Sequence, residues 1–309
     1  MASLRDIRNR INSVKSTQQV TRAMKMVAAA KLRRAQERIF QTRPYAFQLA
    51  EVISHLQGHV DPGTHPLFQP RAERQAALLV VVTADRGLAG AFNANIIKLT
   101  EQTIARDYAE LEQAGRLYLY CVGRKGYDYF RRRNYQIVAN RQGFFDRLTF
   151  DIAREISEDI VNGYLEGRWD EVRIVYNEFR NTIAQNRIVE PFLPIPPERF
   201  LTPIMERELG RRPQLRPGYR VDYIFEPSPQ AILDALVPRY LNYQIWRILL
   251  ESYAAEQGAR MVAMDNATTN AEELLHQLRL KYNRARQDAI TKEILEITSG
   301  AEALAKGGS

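Results

Sequence analysis

Residues 3 to 57 read SLRDIRNRINSVKSTQQVTRAMKMVAAAKLRRAQERIFQTRPYAFQLAEVISHLQ. The stretch holds no glycine and one proline, Pro44, and its apolar positions Leu4, Ile7, Ile11 and Val14 step 3, 4, 3 as on a helical seam. It predicts one very long helix, since some 50 residues at about 1.5 Å each reach about 75 Å. The stretch from Gly58 to Pro70, with Pro62, Gly63 and Pro66, ends it. A matching pattern closes the chain. From Arg239 to Leu304 only Gly258 and Gly300 interrupt a helical period, and Leu275, Leu278, Tyr282, Ala285 and Ala289 step 3, 4, 3, 4. The phase then slips by one residue to Ile290, Ile294, Ile297, Ala301 and Leu304. Such a slip alters a supercoil locally without breaking the helix. Neither helix can bury its stripe alone, so the pair predicts an antiparallel coiled coil over residues 1–57 and 230–304.

Between the two helices the period changes. Ala76 to Thr83 (AALLVVVT), Leu117 to Val122 (LYLYCV) and Val172 to Tyr176 (VRIVY) are apolar runs of the kind covered on both faces of a sheet, and Tyr135 to Ala139 (YQIVA) is a weaker one. Helical segments lie between them at Ala94 to Glu112, Lys125 to Arg132 and Thr149 to Glu166. The alternation predicts an open, mostly parallel, Rossmann-like α/β domain at residues 74–195. The fold class is therefore a long coiled coil of the terminal helices with a central α/β domain. Residues 191 to 229 hold nine prolines and predict an irregular connection, bounded as 196–229.

The 309 residues leave room for two domains, and 45% hydrophobic with 26% charged residues is the composition of a soluble globular protein. The apolar runs fall short of the roughly 20 residues that span a bilayer. One cysteine, Cys121, excludes an intramolecular disulfide and a zinc site built on cysteine pairs, and points to a reducing compartment. Its place inside an apolar strand predicts an inert buried thiol. The net charge of +8 is concentrated: residues 1 to 43 hold eleven Lys or Arg against only Asp6 and Glu37. A basic arm on a nearly neutral body implies an acidic partner. As a transit peptide the arm is too regular and too long. As a nucleic-acid arm it lacks interleaved aromatics before Phe40 and Tyr45. An acidic protein sleeve, or a merely solvated helix face, remains.

Candidates for chemistry are few. His55 and His59 share a helical spacing with His65 beyond, but no HExxH pattern accompanies them. Thr83 to Gly90 (TADRGLAG) follows a strand, where phosphate loops occur, yet matches neither GxGxxG nor GxxxxGK[ST]. Gly87 and Gly90 predict a tight turn, with Asp85 and Arg86 paired to each other or to neighbours. Glu272, Glu273, Glu293, Glu296 and Glu302 read as a solvated helix face. The sequence offers no catalytic set, cofactor or metal site.

Three segments carry a resemblance: QQVTRAMKMVAAAKLRRAQ (Gln18 to Gln36), ARMVAMDNATTNAEEL (Ala259 to Leu274) and YNRARQDAITKEILEITSGAEAL (Tyr282 to Leu304). With VVVTADRGLAGAFNANI from Val80 and DYIFEPSPQAILDAL from Asp222, they closely resemble the γ subunit of F-type ATP synthases over most of the chain. The resemblance implies a non-catalytic rotor without cofactor: an asymmetric shaft inside a ring of α and β subunits, beside an ε subunit, with a foot on the membrane c ring. It implies proton- or sodium-driven ATP synthesis, and a peripheral place at the cytoplasmic face of a bacterial plasma membrane ahead of an organellar inner membrane. By motif position, Arg286, Gln287, Thr291 and Glu293 resemble the contact that catches a β-subunit loop, and Met24 and Lys25 the facing patch on the N-terminal helix. Tyr223 and Glu226 resemble the c-ring foot, and Ala301 to Leu304 the shaft tip in an apolar bearing. Residues 198–219 lengthen the connection before the foot, and the second cysteine of thiol-regulated chloroplast relatives is absent. The competing class is a basic coiled-coil protein that binds nucleic acid.

Overall fold

The computed structural model describes residues 3–57, 65–71, 73–182, 184–196 and 225–306. Two helices, α1 (Leu4–Gln57) and the C-terminal helix Pro229–Lys306, run close to the lengths read from the sequence, with Pro44 and Pro238 inside them. The chain divides into two compact units, residues 29–259 and residues 1–28 with 260–309.

The larger unit is built on one sheet of β1 (Ala77–Val82), β2 (Leu117–Val122), β3 (Ile137–Arg141), β4 (Glu171–Phe179) and β5 (Gln185–Leu193), ordered β3-β2-β1-β4-β5. The first four strands are parallel, and β5 runs antiparallel to β4. Every residue of β1 is buried, and alternate side chains go to opposite faces. Leu78, Val80 and Val82 join a core with Ile156 and Ile160 of α5 (Phe150–Leu165) and with Leu241 and Trp246 of the C-terminal helix. Ala77, Leu79 and Val81 join Ile96 and Ile104 of α2 (Phe92–Asp107) and Phe130 of α4 (Arg124–Arg131). Each Val or Leu so enclosed contributes about 1.5–3 kcal/mol, which is why an uninterrupted apolar run suits a strand covered twice.

Two elements differ from the sequence reading. The helix expected from Ala94 to Glu112 is two, α2 and α3 (Ala109–Gln113), parted at Tyr108 with φ −136°. That tyrosine turns inward to 1% exposure beneath the guanidiniums of Arg74 and Arg173, 4.9 and 5.6 Å from its ring. The second is β5, a strand not expected from the sequence although it lies within the expected α/β domain, and it takes in Pro191 at the head of the proline-rich stretch. Pro191 is tolerated because β5 is an edge strand and Pro191 sits at a shift in register opposite Arg173.

The turn after β1 is held as expected, by neighbours. The Asp85 carboxylate accepts the N–H groups of Arg124 at 3.1 Å and Gly143 at 3.0 Å, and Arg86 pairs with Asp146 at 3.5 Å. A doubly wound sheet takes its ligands in the crevice beyond the strand ends. Here Ala84, Ala89 and Phe92 close on Ala255 of the C-terminal helix, which we number α6. Gly123, with φ 92°, is required where the chain crosses Thr83, since a Cβ there would stand 2.0 Å from the Thr83 carbonyl oxygen.

Candidate partner-contact surface

In the smaller unit α1 and α6 run antiparallel, tied by polar rungs. Arg8 Nη2 donates to the Tyr282 hydroxyl at 2.7 Å, Gln18 Nε2 to Glu272 at 2.9 Å, and Lys25 Nζ to Asp265 at 2.6 Å. Between them the Thr21 and Thr268 hydroxyls meet at 2.8 Å. As α1 advances from 8 to 25, α6 retreats from 282 to 265, one residue back for each residue forward. Thr21, Met264, Ala271, Leu275 and Leu278 are buried along this seam.

That register carries a consequence for the C-terminus. The start of α1 at Leu4 stands about level with residue 286, whereas α6 continues to Lys306. Beyond residue 286 the seam has no partner helix among the described residues of the unit. Ile290, Ile294, Leu295 and Ile297 are accordingly 48–70% exposed. The slipped stripe of the sequence is therefore an uncovered apolar face.

The residues expected to meet partners fall in three places. Arg286, Gln287, Thr291 and Glu293 are exposed where α6 outruns α1, and none of their side chains has a hydrogen bond or ion pair among the described residues. Arg286 and Glu293 are seven residues apart and share a helix face, as do Gln287 and Thr291 at four. Met24 and Lys25 are half-buried and lie level with residues near 265, about 30 Å along α6 from Arg286 at 1.5 Å per residue. The structure thus does not bring the two patches together. Glu226 is exposed just before α6, Ala301 is exposed near its end, and Tyr223 and the side chain of Leu304 lie outside the described residues.

Cys121 is buried in β2, and burial pushes its thiol up to about 12. His65 is buried, accepts the Leu67 N–H at Nδ1 (3.2 Å) and places Nε2 3.8 Å from Asp234. Burial lowers its pKa despite that carboxylate, so it is a core histidine. The side chains of His55 and His59 lie outside the described residues, among which no group of three or more His, Cys, Asp or Glu could hold a metal ion. No helix among them is long and apolar enough to cross a membrane. Glu272 is drawn into a rung, and Glu296 pairs with Lys292 at 3.7 Å.

Sequence reasoning missed the rungs and a buried polar patch on α6 around Arg247. The rungs had a signal, because a fixed antiparallel register sets Gln18 against Glu272 and Lys25 against Asp265. The patch had none, since its partners on β4 and β5 are distant in sequence.

Fold and surface together define a class: a two-helix coiled coil joined in sequence to an α/β sheet, with an exposed apolar stripe where α6 outruns α1. A family model described as ATP synthase matches residues 3–304. The ATP synthase gamma chain of Salinibacter ruber is 59% identical over 308 residues, covering 100% of both chains. That of Chloroherpeton thalassium is 54% identical over 304 residues, covering 98% of this chain and 99% of its own. A chain of the Euglena gracilis mitochondrial ATP synthase (OSCP/F1/c-ring) shares the fold with a TM-score of 0.67 at 19% identity, over 99% of this chain and 96% of that one. A chain of the Tetrahymena thermophila central stalk and c ring does so with a TM-score of 0.57 at 23% identity, over 80% and 99%. The chain belongs to the ATP synthase gamma-chain family. It is a subunit of a membrane-associated complex, and the nucleic-acid alternative finds no support.

Proposed function

We propose that the chain is the non-catalytic rotor of an F-type ATP synthase at the cytoplasmic face of a bacterial plasma membrane. The carrying observation is the uncovered stripe of Ile290, Ile294 and Ile297, next to Arg286, Gln287, Thr291 and Glu293. An apolar helix face left open on a folded chain calls for a cover, and the gamma-chain relatives name the complex that supplies one. In this reading α6 enters the ring of α and β subunits, Arg286 grips a β-subunit carboxylate bidentately, and Met24 with Lys25 meets the ring at a different height. Tyr223 and Glu226 form the foot on the c ring, beside the ε subunit.

The mechanism needs asymmetry. Each β subunit meets a different face of the shaft, so each is biased toward a different conformation by the difference in contact free energy. Turning the shaft passes those biases around the ring. Stiffness comes from paired helices, which hold a load that a single helix would not.

Replacing Ile290, Ile294 and Ile297 together by Ser tests the reading. The isolated chain keeps its urea midpoint, because the three side chains are already exposed, while co-assembly with α and β subunits falls at least tenfold. Unchanged assembly would sink the assignment of the stripe.

A further inference from the structure

Between Gln244 and Gly258, α6 carries a run of buried polar side chains. Gln244, Arg247, Glu251, Ser252, Glu256 and Gln257 are all at most 7% exposed. Burying charge is costly unless it is paired and hydrogen-bonded, and the pairing here is uneven.

Arg247 is the hub. Its Nη2 donates to Glu190 Oε1 at 2.6 Å, its Nη1 to the Tyr176 hydroxyl at 3.0 Å and to Glu251 Oε2 at 3.4 Å, and its Nε to Gln244 Oε1 at 2.9 Å. The Tyr176 hydroxyl donates onward to Glu190 Oε2 at 2.7 Å, so both oxygens of Glu190 are served. Glu178, buried on β4, accepts from Asn186 at 2.9 Å. Glu251 has only the long contact to Arg247. One guanidinium thus serves two carboxylates, Glu190 and Glu251, while Glu178 is a third acid acting on Glu251, so full ionisation would set three negative charges against one positive. Tyr176 and Tyr240 hold their protons, their hydroxyls raised by burial, and α1 packs at Ala254 through Leu32, Ala35 and Ile39.

The grip is longer than the cluster. Gln185 Nε2 donates to the Ala255 carbonyl at 3.1 Å, and Phe179 and Thr182 lie 3.5 Å from where a Cβ at Gly258 would stand. The β4–β5 hairpin therefore follows α6 for the whole buried segment.

We propose that this cluster is a proton-governed latch keying α6 to the β4–β5 hairpin, with Arg247 the positioning residue and Glu251 the group that gains and loses the proton. Its existence rests on the geometry of residues 176–258, and its consequence, torque passing between hairpin and α6, rests on the rotor reading. Burial pushes the Glu251 carboxyl up to about 7, opposed by Arg247 and reinforced by Glu178 and Glu190. A carboxyl raised on folding stabilises the native state below its ordinary range, and that stability is lost as pH rises through the raised value. Protonated Glu251 leaves Arg247 to Glu190 and Tyr176 and closes the latch. Ionised Glu251 adds an anion and loosens it.

Hydrogen exchange of residues 244–258 in the full chain tests this, with intrinsic rates corrected for pH. Protection in the wild type falls about tenfold between pH 6 and pH 8, as one proton with its midpoint near the middle of that window requires. Glu251→Gln abolishes that fall, and parallel profiles for the two proteins overturn the latch. Glu178→Gln keeps Glu251 and is the second arm. It removes a neighbouring anion and moves the midpoint to lower pH, and an unmoved midpoint also overturns the cluster. In the assembled complex the ratio of ATP-driven ion pumping to ATP hydrolysis follows the same profile and becomes flat in Glu251→Gln. A flat ratio in both proteins, with the exchange step present, removes the torque role and leaves the rotor assignment to its own tests.

Discussion

The ammonium of Lys25 lies 2.6 Å from the carboxylate of Asp265, so a cation whose motif position points to a partner is already engaged across the coiled coil. The two side chains are 40% and 52% exposed, which keeps the pair in screening solvent. Lys25→Ala should lower the stability of the isolated chain by about 0.2–1 kcal/mol, with the loss shrinking at high salt. A double-mutant cycle with Asp265→Ala, followed by urea denaturation, measures the coupling. A coupling of zero at low salt would show that the rung contributes nothing and that Lys25 is free for a partner.

Two glycines of similar helical setting should respond with opposite sign. A Cβ on Gly163 of α5 would stand 2.0 Å from the ring of Trp169, whose indole N–H is fixed on the Ile160 carbonyl at 3.1 Å. Gly163→Ala should cost about 1–3 kcal/mol through overpacking. Gly300 of α6 has nothing within 4 Å, and Gly300→Ala should stabilise its helix by about 0.5–1 kcal/mol. Thermal melts followed at the helix band check both signs.

Cys121 offers a redox test. Its thiol is fully enclosed in β2, with its pKa raised to about 12 by burial, so it is neither exposed nor ionised near neutrality. Iodoacetamide at pH 8 should label the native chain at a small fraction of the rate seen in urea. Turnover of the assembled complex should be the same in reduced and oxidised preparations, and Cys121→Ser should cost about 1–3 kcal/mol by placing a hydroxyl among apolar side chains. Rapid native labelling would place the thiol at the surface.

The strands β1, β2 and β4 were legible because a strand covered on both faces must be apolar at every position, a pattern visible in AALLVVVT without any partner in view. Strand β5 was hidden for the converse reason. QNRIVEPFL is half-buried at an edge and contains a proline, so its sequence looks like the connection that follows it. Tyr108, where α2 ends, is buried beneath the guanidiniums of Arg74 and Arg173, a tertiary setting that local propensity does not encode. The proposed partner-contact residues come from motif resemblance. What the fold added was their separation: a register of one residue back for each forward places Met24 and Arg286 at different heights, and shows that α6 outlasts α1.

Arg286 carries the sharpest test of the shaft. Its guanidinium is exposed on α6 near the level where α1 begins, with no acidic partner among the described residues. Reversing its charge therefore breaks nothing inside the chain, and Arg and Glu have similar helix propensity. The isolated Arg286→Glu chain should keep its helix content, and its urea midpoint should correspond to a change within about 0.5 kcal/mol. In the complex the same change sets a carboxylate against the carboxylate it is proposed to grip, and like-charge juxtaposition at an interface costs several kcal/mol. ATP synthesis by the assembled enzyme should fall by at least tenfold, the factor that 1.4 kcal/mol represents. An acidic-to-basic reversal on the partner loop should restore part of the loss, since the attraction is rebuilt with its signs exchanged. Full synthesis by a completely assembled Arg286→Glu enzyme, with the reversal on the loop equally silent, would show that the catalytic ring is not held at this residue.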